Sequence, residues 1–306
     1  KLMETQTFYS NGKLLITGEY VVLDGAKALA LPTKFGQSLI VKQGTNNQIK
    51  WTSFDSDKSI WFKDIISFVE VTTKITDENN SAVKNTLIEI LHQAFIQNPT
   101  FLEKEGYEIE THLTFPRLWG LGTSSTLINS IGDWLDIDAF ELLQKSFGGS
   151  GYDIACAKSN SPIVYHLEKE KPHFKAIHFN PSFKENIHFV YLNQKQSSKL
   201  AIANYMSKHH HVNAVISKIN TITYDAIDCK EGKEFAKQME KHEIIMSDVL
   251  EIETIQEKLF PDFKGIIKSL GAWGGDFVMA ISKENPTAYF KEKGYPVVLS
   301  YEEMIL

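Results

Sequence analysis

Three short stretches concentrate residue types able to handle a phosphate group and a proton. The first reads Trp119-Gly120-Leu121-Gly122-Thr123-Ser124-Ser125-Thr126. It follows an alternating strand pattern and opens a helical one. Glycine lets the backbone approach a ligand closely and adopt positive φ. Free N–H groups at a helix start, aided by the helix dipole, attract anions. The hydroxyls of Thr123, Ser124 and Ser125 suit phosphate oxygens or a phosphate-bound Mg2+. The same residues also suit a plain helix N-cap behind a glycine turn. A Walker A loop, Gly-x-x-x-x-Gly-Lys-Ser/Thr, does not occur. A dinucleotide fingerprint is disfavoured: Ser125 stands at its last glycine, and the preceding strand alternates instead of reading as a buried parallel strand.

The second stretch is Gly148-Gly149-Ser150-Gly151-Tyr152-Asp153-Ile154-Ala155. An aspartate just inside a helix is a common helix-start carboxylate. It is also placed to orient and deprotonate a hydroxyl that attacks a phosphoryl group. The third stretch is Gly12-Lys13-Leu14-Leu15-Ile16-Thr17-Gly18-Glu19-Tyr20. Lys13 opens an otherwise apolar strand. Such a lysine usually lies on the surface; beside an aspartate and a bound phosphate it would neutralise developing charge.

These stretches need elements to hold them. Strands are expected at 7–9, 13–22 and, after Pro32, at 37–42. A hairpin is expected from 48–53 and 59–62 around the polar turn at Asp55-Ser56-Asp57-Lys58. Helical spacing predicts a helix over 83–96, stopped by Pro99. Residues 107–114 alternate like a half-buried strand. Helices follow at 124–134, 139–146 and 152–158. Residues 172–184 are polar and show neither period, so the domain boundary is placed there, dividing the chain into 1–180 and 181–306. The second part reads as a strand at 187–192, long helices at 199–221 and 231–250, strands at 277–281 and 296–300, and a helix at 286–293.

The 306 residues allow one large domain or two ordinary ones. Hydrophobic residues at 42% and charged residues at 23% give an ordinary globular balance, which argues against disorder. A net charge of −6 leaves no basic footprint for a nucleic-acid backbone. Of 32 basic residues only Arg117 is an arginine. The two cysteines, Cys156 and Cys229, form no Cys-x-x-Cys pattern, so a reducing cytoplasm is expected and a disulfide framework is not. No apolar run reaches the roughly 20 residues that span a bilayer. The opening Lys1 to Thr5 shows no signal-peptide apolar region, and Met3 is a candidate start.

Together the three stretches and a fourth near the end resemble the GHMP kinases. Residues 12–25, ending Gly-Glu-Tyr-Val-Val-Leu-Asp-Gly, resemble that family's first motif, and Gly120-Leu121-Gly122-Thr123-Ser124 its phosphate loop. Lys268-Ser269-Leu270-Gly271-Ala272-Trp273-Gly274-Gly275-Asp276 resembles its third motif. The resemblance implies an α+β chain with two domains: an N-terminal ATP-binding domain like the second domain of ribosomal protein S5, and a ferredoxin-like C-terminal domain. It implies ATP and Mg2+ as cofactors and a small-molecule acceptor, with no nucleic acid or membrane partner, in a monomer or homodimer. It assigns Asp153 as catalytic aspartate and Lys13 as the lysine near the acceptor hydroxyl. Gly120, Leu121, Gly122, Thr123, Ser124 and Ser125 would wrap the triphosphate. Ser124 would touch Mg2+, and the family's acidic metal ligand falls near Glu141, with Gln144 or water as alternatives. Lys13, Glu19, Tyr20, Ser150, Gly151, Ser197, Gly271 and Ala272 would line the acceptor. Within the family, Tyr20, the run Gly149-Ser150-Gly151-Tyr152-Asp153 and Asp276 are most similar to phosphomevalonate kinases; mevalonate kinase is the first alternative. Another GHMP kinase, or a catalytically silent ligand-binding relative that regulates a partner, is a further one. A phosphorylated acceptor needs further cations, for which Lys195, Lys199, Lys268 and Arg117 are candidates.

Other features are read as structural. Three adjacent histidines, His209 to His211, cannot face one ion from a helix. His242 and Glu243 do not complete a His-Glu-x-x-His zinc pattern. Trp51, Trp61 and Trp134 are expected in the core, although the hairpin over 53–63 lies where the family often holds the base. Trp273 replaces a usual glycine and is expected to pack.

Overall fold

The computed structural model describes residues 2–195, 198–208 and 212–306. Ser197 and His209 to His211 therefore lie outside the described residues. The strands are β1 (Gln6–Leu15), β2 (Ala28–Gln43), β3 (Gln48–Phe54), β4 (Ile60–Ser67), β5 (Tyr107–Leu113) and β6 (Ile163–Glu168). They continue with β7 (Lys171–Ala176), β8 (Ile187–Tyr191), β9 (Ile266–Ser269), β10 (Phe277–Ile281) and β11 (Val298–Ser300). The helices are α1 (Phe68–Thr72), α2 (Ala82–Gln97), α3 (Thr123–Leu135), α4 (Ala139–Ser146) and α5 (Tyr152–Ala157). In the later chain come α6 (Ser198–Ser207), α7 (Val212–Asp228), α8 (Gly232–Leu250), α9 (Ile255–Leu259), α10 (Thr287–Glu292) and α11 (Tyr301–Met304).

The chain divides into two compact units. One comprises Lys1–Gly12, Phe35–Arg117 and Leu121–Lys158; the other comprises Lys13–Lys34, Leu118–Gly120 and Ser159–Leu306. Strands β1 and β2 run through both.

In the first unit the strands follow the order β4-β3-β5-β2. β3 and β4 form the expected hairpin, and β5 lies parallel to β3, with Ile49 opposite Tyr107 and Phe54 opposite His112. The far half of β2 pairs antiparallel to β5 from Gln37↔Leu113 to Gln43↔Tyr107. Alternation puts Leu39, Val41, Ile49, Trp51 and Ile109 into the core, against Leu87, Ile88 and Leu91 of α2 and Ile128 and Ile131 of α3. α2 starts on Ser81, whose hydroxyl accepts the Lys84 N–H. Trp134 packs edge-on against Phe101 and Tyr107, at ring-centroid distances of 5.7 and 5.1 Å.

In the second unit a four-stranded antiparallel sheet has the order β11-β8-β10-β9. Val190, Val278 and Ile267 pack with Phe260 and Phe290. α7 pairs with α8, and α8 lies against β9. β6 and β7 form a hairpin, and β6 pairs with Ala28 to Ala30 of β2.

Several expected boundaries are corrected. β1 ends at Leu15, and Val21–Asp24 is a 3₁₀ turn instead of more strand. Gly18 at φ +87° forces the break: an added Cβ would lie 2.9 Å from the Ala28 Cβ. β2 begins at Ala28 and runs through Pro32, where a strand was expected only after it, from Gln37. Proline lacks an N–H, but its carbonyl accepts the Leu306 N–H at 3.1 Å, and residue 32 lies between the stretches paired with β6 and β5. β7 falls in the tract read as structureless; it is mostly exposed and polar, so no period marks it. The helix expected over 199–221 is two, and the Lys208 N–H closes α6 on the Tyr205 carbonyl at 3.1 Å. Neither Cys156 nor Cys229 is in a disulfide. Among the described residues no helix is long and apolar enough to cross a membrane, and no cluster of three metal-ligating side chains occurs.

Candidate active site

In the first unit the chemistry gathers at the start of α3. Gly122 is its N-cap, at φ +104° and ψ 47°, with no side-chain cap. The Thr126 N–H is bonded to the Gly122 carbonyl, so the amides of Thr123, Ser124 and Ser125 have no intrahelical acceptor. They present three donors at the positive end of a 13-residue helix. Leu121 is fully buried and anchors the loop. Below it, Gln37 donates to the Thr123 carbonyl at 2.9 Å and to the Thr126 hydroxyl at 2.8 Å, and Asn129 donates to Ser10 at 2.9 Å. These buried polar ties fix the helix start against β2 and its middle against β1. The Ser125 hydroxyl turns inward to the Gly122 carbonyl at 3.3 Å. Ser124 makes no such inward bond and lines a cavity.

That cavity, about 260 Å³ in volume, is lined by Gln37, Trp51, Ser53, Trp61, Thr86, Thr123 and Ser124 among others. It has room for a flat heteroaromatic ring beside the helix start. The Trp61 indole N–H is buried and lacks a protein hydrogen-bond partner. The Arg117 guanidinium lies 4.8 Å from the centre of the Trp61 ring, and the Arg117 N–H is bonded to Asp55 at 3.0 Å. The tryptophans therefore divide: Trp51 is a core residue whose indole donates to Ser53, while Trp61 is a half-buried wall of the cavity.

The turn before Asp153 also belongs to this unit. Gly148, Gly149 and Gly151 have φ of +84°, +108° and +95°. Gln144, the alternative metal ligand, donates to the Gly149 carbonyl at 3.3 Å. Gly151 caps α5, Ser150 is buried, and the Asp153 carboxylate accepts the Ile154 N–H at 3.1 Å. Glu141 is exposed in the first turn of α4, where Asp138 accepts its N–H.

The second unit holds the remaining candidates. Lys13 donates to the Gly120 carbonyl at 3.0 Å. Gly120 has φ +71°, and a Cβ there would meet Asp276 Oδ2 at 2.1 Å. Asp276 is itself at φ +49°; its N–H donates to the Gln194 carbonyl and its carbonyl accepts the Leu192 N–H. Burial pushes the Asp276 carboxyl upward, opposed by Lys13 and Lys195. Phe277 meets Trp119 edge-on at 5.3 Å, and Tyr191 donates to the Leu118 carbonyl at 3.1 Å, so residues 118–120 ride on the small sheet.

Glu19 is 1% exposed, and its carboxylate accepts from Lys268 at 2.5 Å and from the Trp273 indole at 3.3 Å. Tyr20, at φ +64°, accepts the Trp273 N–H on its hydroxyl at 3.0 Å. Burial pushes the Tyr20 hydroxyl up to about 12. Gly271 is in the left-handed region at φ +62° with open space around it, and Ala272 leads into the buried Trp273. Trp273 thus packs, as its bulk suggests. Of the cations considered for a phosphorylated acceptor, Lys268 is fully buried on Glu19, and Arg117 stacks on Trp61. A second cavity of about 610 Å³ in this unit is lined by Tyr20, Tyr205, Trp273, Lys208 and Lys258 among others. Lys208 and Lys258 were not singled out by motif, since isolated lysines on helices carry no local signal; His242 and Glu243, set aside as no zinc pattern, prove to be buried beside Lys268.

No protein-family model matches the sequence, and no curated protein matches it. Solved structures do match in fold. Methanococcus jannaschii mevalonate kinase superposes with a TM-score of 0.69 at 17% identity, covering 95% of each chain. Streptococcus pneumoniae phosphomevalonate kinase in complex with phosphomevalonate and AMPPNP gives 0.70 at 15%, covering 94% of this chain and 95% of the other. Lactococcus lactis galactokinase complexed with galactose gives 0.67 at 14%, covering 98% and 94%. The chain has the α+β GHMP-kinase fold.

Proposed function

We propose that the protein is a small-molecule kinase that transfers the γ-phosphoryl group of ATP to a small metabolite, phosphomevalonate first among candidates. The observation that carries this reading is the start of α3: three amides without an intrahelical acceptor and the Ser124 hydroxyl beside a cavity with a buried, unpartnered indole N–H. An anion and a heteroaromatic base are the two ends of a nucleoside triphosphate, and both are provided for within one unit. ATP with Mg2+ supplies an activated phosphoryl group whose charge the metal partly neutralises.

The chain's residues supply position and charge. The backbone of residues 120–125 would cradle the triphosphate, and Ser124, with Glu141 as the acidic candidate, would hold Mg2+. Asp153 orients the acceptor hydroxyl and takes its proton. Lys13 stabilises charge developing on the transferred group. Glu19, Tyr20, Ser150, Gly151, Ser197, Gly271 and Ala272 shape the acceptor's surroundings. The functional domains are 1–180 for the nucleotide and 181–306 for the C-terminal part. Cytoplasmic placement and a monomer or homodimer complete the reading.

Tyr20 and Asp276 favour phosphomevalonate over mevalonate; the cavity beside Tyr20 is lined by Lys258, by Glu253 and by Lys208, which is held by Glu251 at 3.4 Å and by the Leu250 carbonyl at 2.9 Å. A coupled ADP-release assay across phosphomevalonate, mevalonate, galactose and homoserine tests the reading. Phosphomevalonate should give the highest kcat/KM. Higher kcat/KM with mevalonate would transfer the assignment to mevalonate kinase, and no turnover with any of the four would reject the substrate class.

A further inference from the structure

The interior of the second unit holds four ionisable side chains that no bond-making step of this reading uses. Glu19, His242, Glu243 and Lys268 are each at most 3% exposed. Their geometry settles most of the protonation states. The Gly18 N–H donates to His242 Nε2 at 2.9 Å, so that nitrogen is an acceptor and the ring is neutral, with its proton on Nδ1. Burial and Lys268 both hold the His242 pKa well down, in agreement. Lys268 lies 2.5 Å from Glu19 Oε1 and 3.6 Å from Glu243 Oε1. Glu243 Oε2 accepts from the Ser269 hydroxyl at 3.1 Å, while Glu243 Oε1 and Glu19 Oε2 lack hydrogen-bond partners.

One lysine cannot balance two buried carboxylates. With both ionised, the cluster carries an uncompensated charge in a dry interior, which is strongly disfavoured. Glu19 has the short contact with Lys268, so Glu243 is the group that keeps a proton. The charged groups facing Glu243 are Lys268 on β9 and Glu19 after β1, with His242 beside it on α8; the buried residues of α7 carry no titratable group. Burial first, then Glu19, raises the Glu243 carboxyl to about 7, against the opposing pull of Lys268.

The cluster touches both loops next to the expected acceptor. His242 grips Gly18, Glu19 takes the Trp273 indole, and Tyr20 takes the Trp273 N–H. We propose that His242 and Glu243 are positioning residues: α8 clamps the Gly18–Tyr20 turn directly through a neutral His242 and holds the strand end leading into the Trp273 loop through a protonated Glu243 on Ser269 and Lys268, and ionisation of Glu243 loosens the clamp. The consequence for acceptor binding rests on the kinase reading; the clamp itself does not.

A group whose folded pKa is raised contributes stability that is complete below its unfolded pKa and is lost as pH rises through the folded one. For Glu243 that window runs from its ordinary 4.5 to about 7. The test compares full-length wild type with Glu243→Gln, which is neutral at every pH. Between pH 5 and 8 the wild-type Tm should fall several degrees relative to the variant. Trp273 emission, obtained as wild type minus Trp273→Phe, should shift over the same range and stay constant in Glu243→Gln. Acceptor KM should rise severalfold in wild type with kcat nearly unchanged, and stay flat in the variant. Parallel Tm curves, or pH-independent Trp273 emission in the wild type, would overturn the proposal. The wild-type emission decides the matter even if the variant does not fold. Absence of turnover with every acceptor would sink the kinase reading while Tm and emission still judge the clamp.

Discussion

Replacing Gly120 by alanine probes how the glycine turn ahead of α3 is built. At φ +71° an alanine sits in the left-handed region, at a cost of about 1–2 kcal/mol. Its Cβ would lie 2.1 Å from Asp276 Oδ2 and 2.3 Å from Asp276 Cγ, so the carboxylate must move. The Asp276 backbone is held by hydrogen bonds through its N–H and carbonyl, so relief must come from turning its side chain. Overpacking of this kind costs about 1–3 kcal/mol. The two contributions sum to roughly 2–5 kcal/mol, a Tm loss of roughly 4–10 °C for a chain of this size. In an Asp276→Ala background the clash is gone and only the backbone cost of about 1–2 kcal/mol remains. Thermal unfolding of wild type, both single variants and the double variant closes a cycle with a coupling of about 1–3 kcal/mol. Equal destabilisation by Gly120→Ala in both backgrounds would refute the packing of Asp276 on the glycine.

Three further outcomes are expected. Asp153→Asn should lower turnover at least about a hundredfold while ATP still binds, as for loss of a positioned base; unchanged turnover would remove Asp153 from the mechanism. Lys13→Met should lower kcat or raise the acceptor KM in steady-state assays, and an effect on neither would exclude its charge role. Trp61→Phe keeps an aromatic face but removes the pyrrole half of the indole with its N–H, so the KM for ATP should rise at least about threefold to tenfold, the value of one hydrogen bond, with kcat unchanged. An unaltered KM for ATP would mean that the indole N–H meets no nucleotide atom.

Much of the fold was legible because its signals are local. The α4 and β10 ranges follow from sequence outright, since Asp138 caps one and five consecutive buried residues make the other. The glycine turn that opens α3 was legible from glycine and hydroxyl spacing ahead of an apolar helix. What failed needed tertiary information. Pro32 looked like a strand boundary because the chain end that satisfies its carbonyl is 274 positions later (306 − 32). Val21 and Val22 looked like strand because their β-branched types gave no hint of the positive φ at Gly18 and Tyr20. Lys268 looked like a ligand-facing cation; its burial depends on Glu19, 249 positions away. The same distance hid the clamp, since the partners of His242 and Glu243 lie on other elements, at Gly18 and at Lys268 and Ser269.

The most direct test of phosphoryl transfer is ³¹P NMR of the purified protein with ATP, Mg2+ and phosphomevalonate. The account predicts loss of the ATP γ-phosphate resonance, with ADP and a new diphosphate ester appearing in equal amounts. ATP that stays intact, or that yields only free phosphate with the acceptor unchanged, would contradict it.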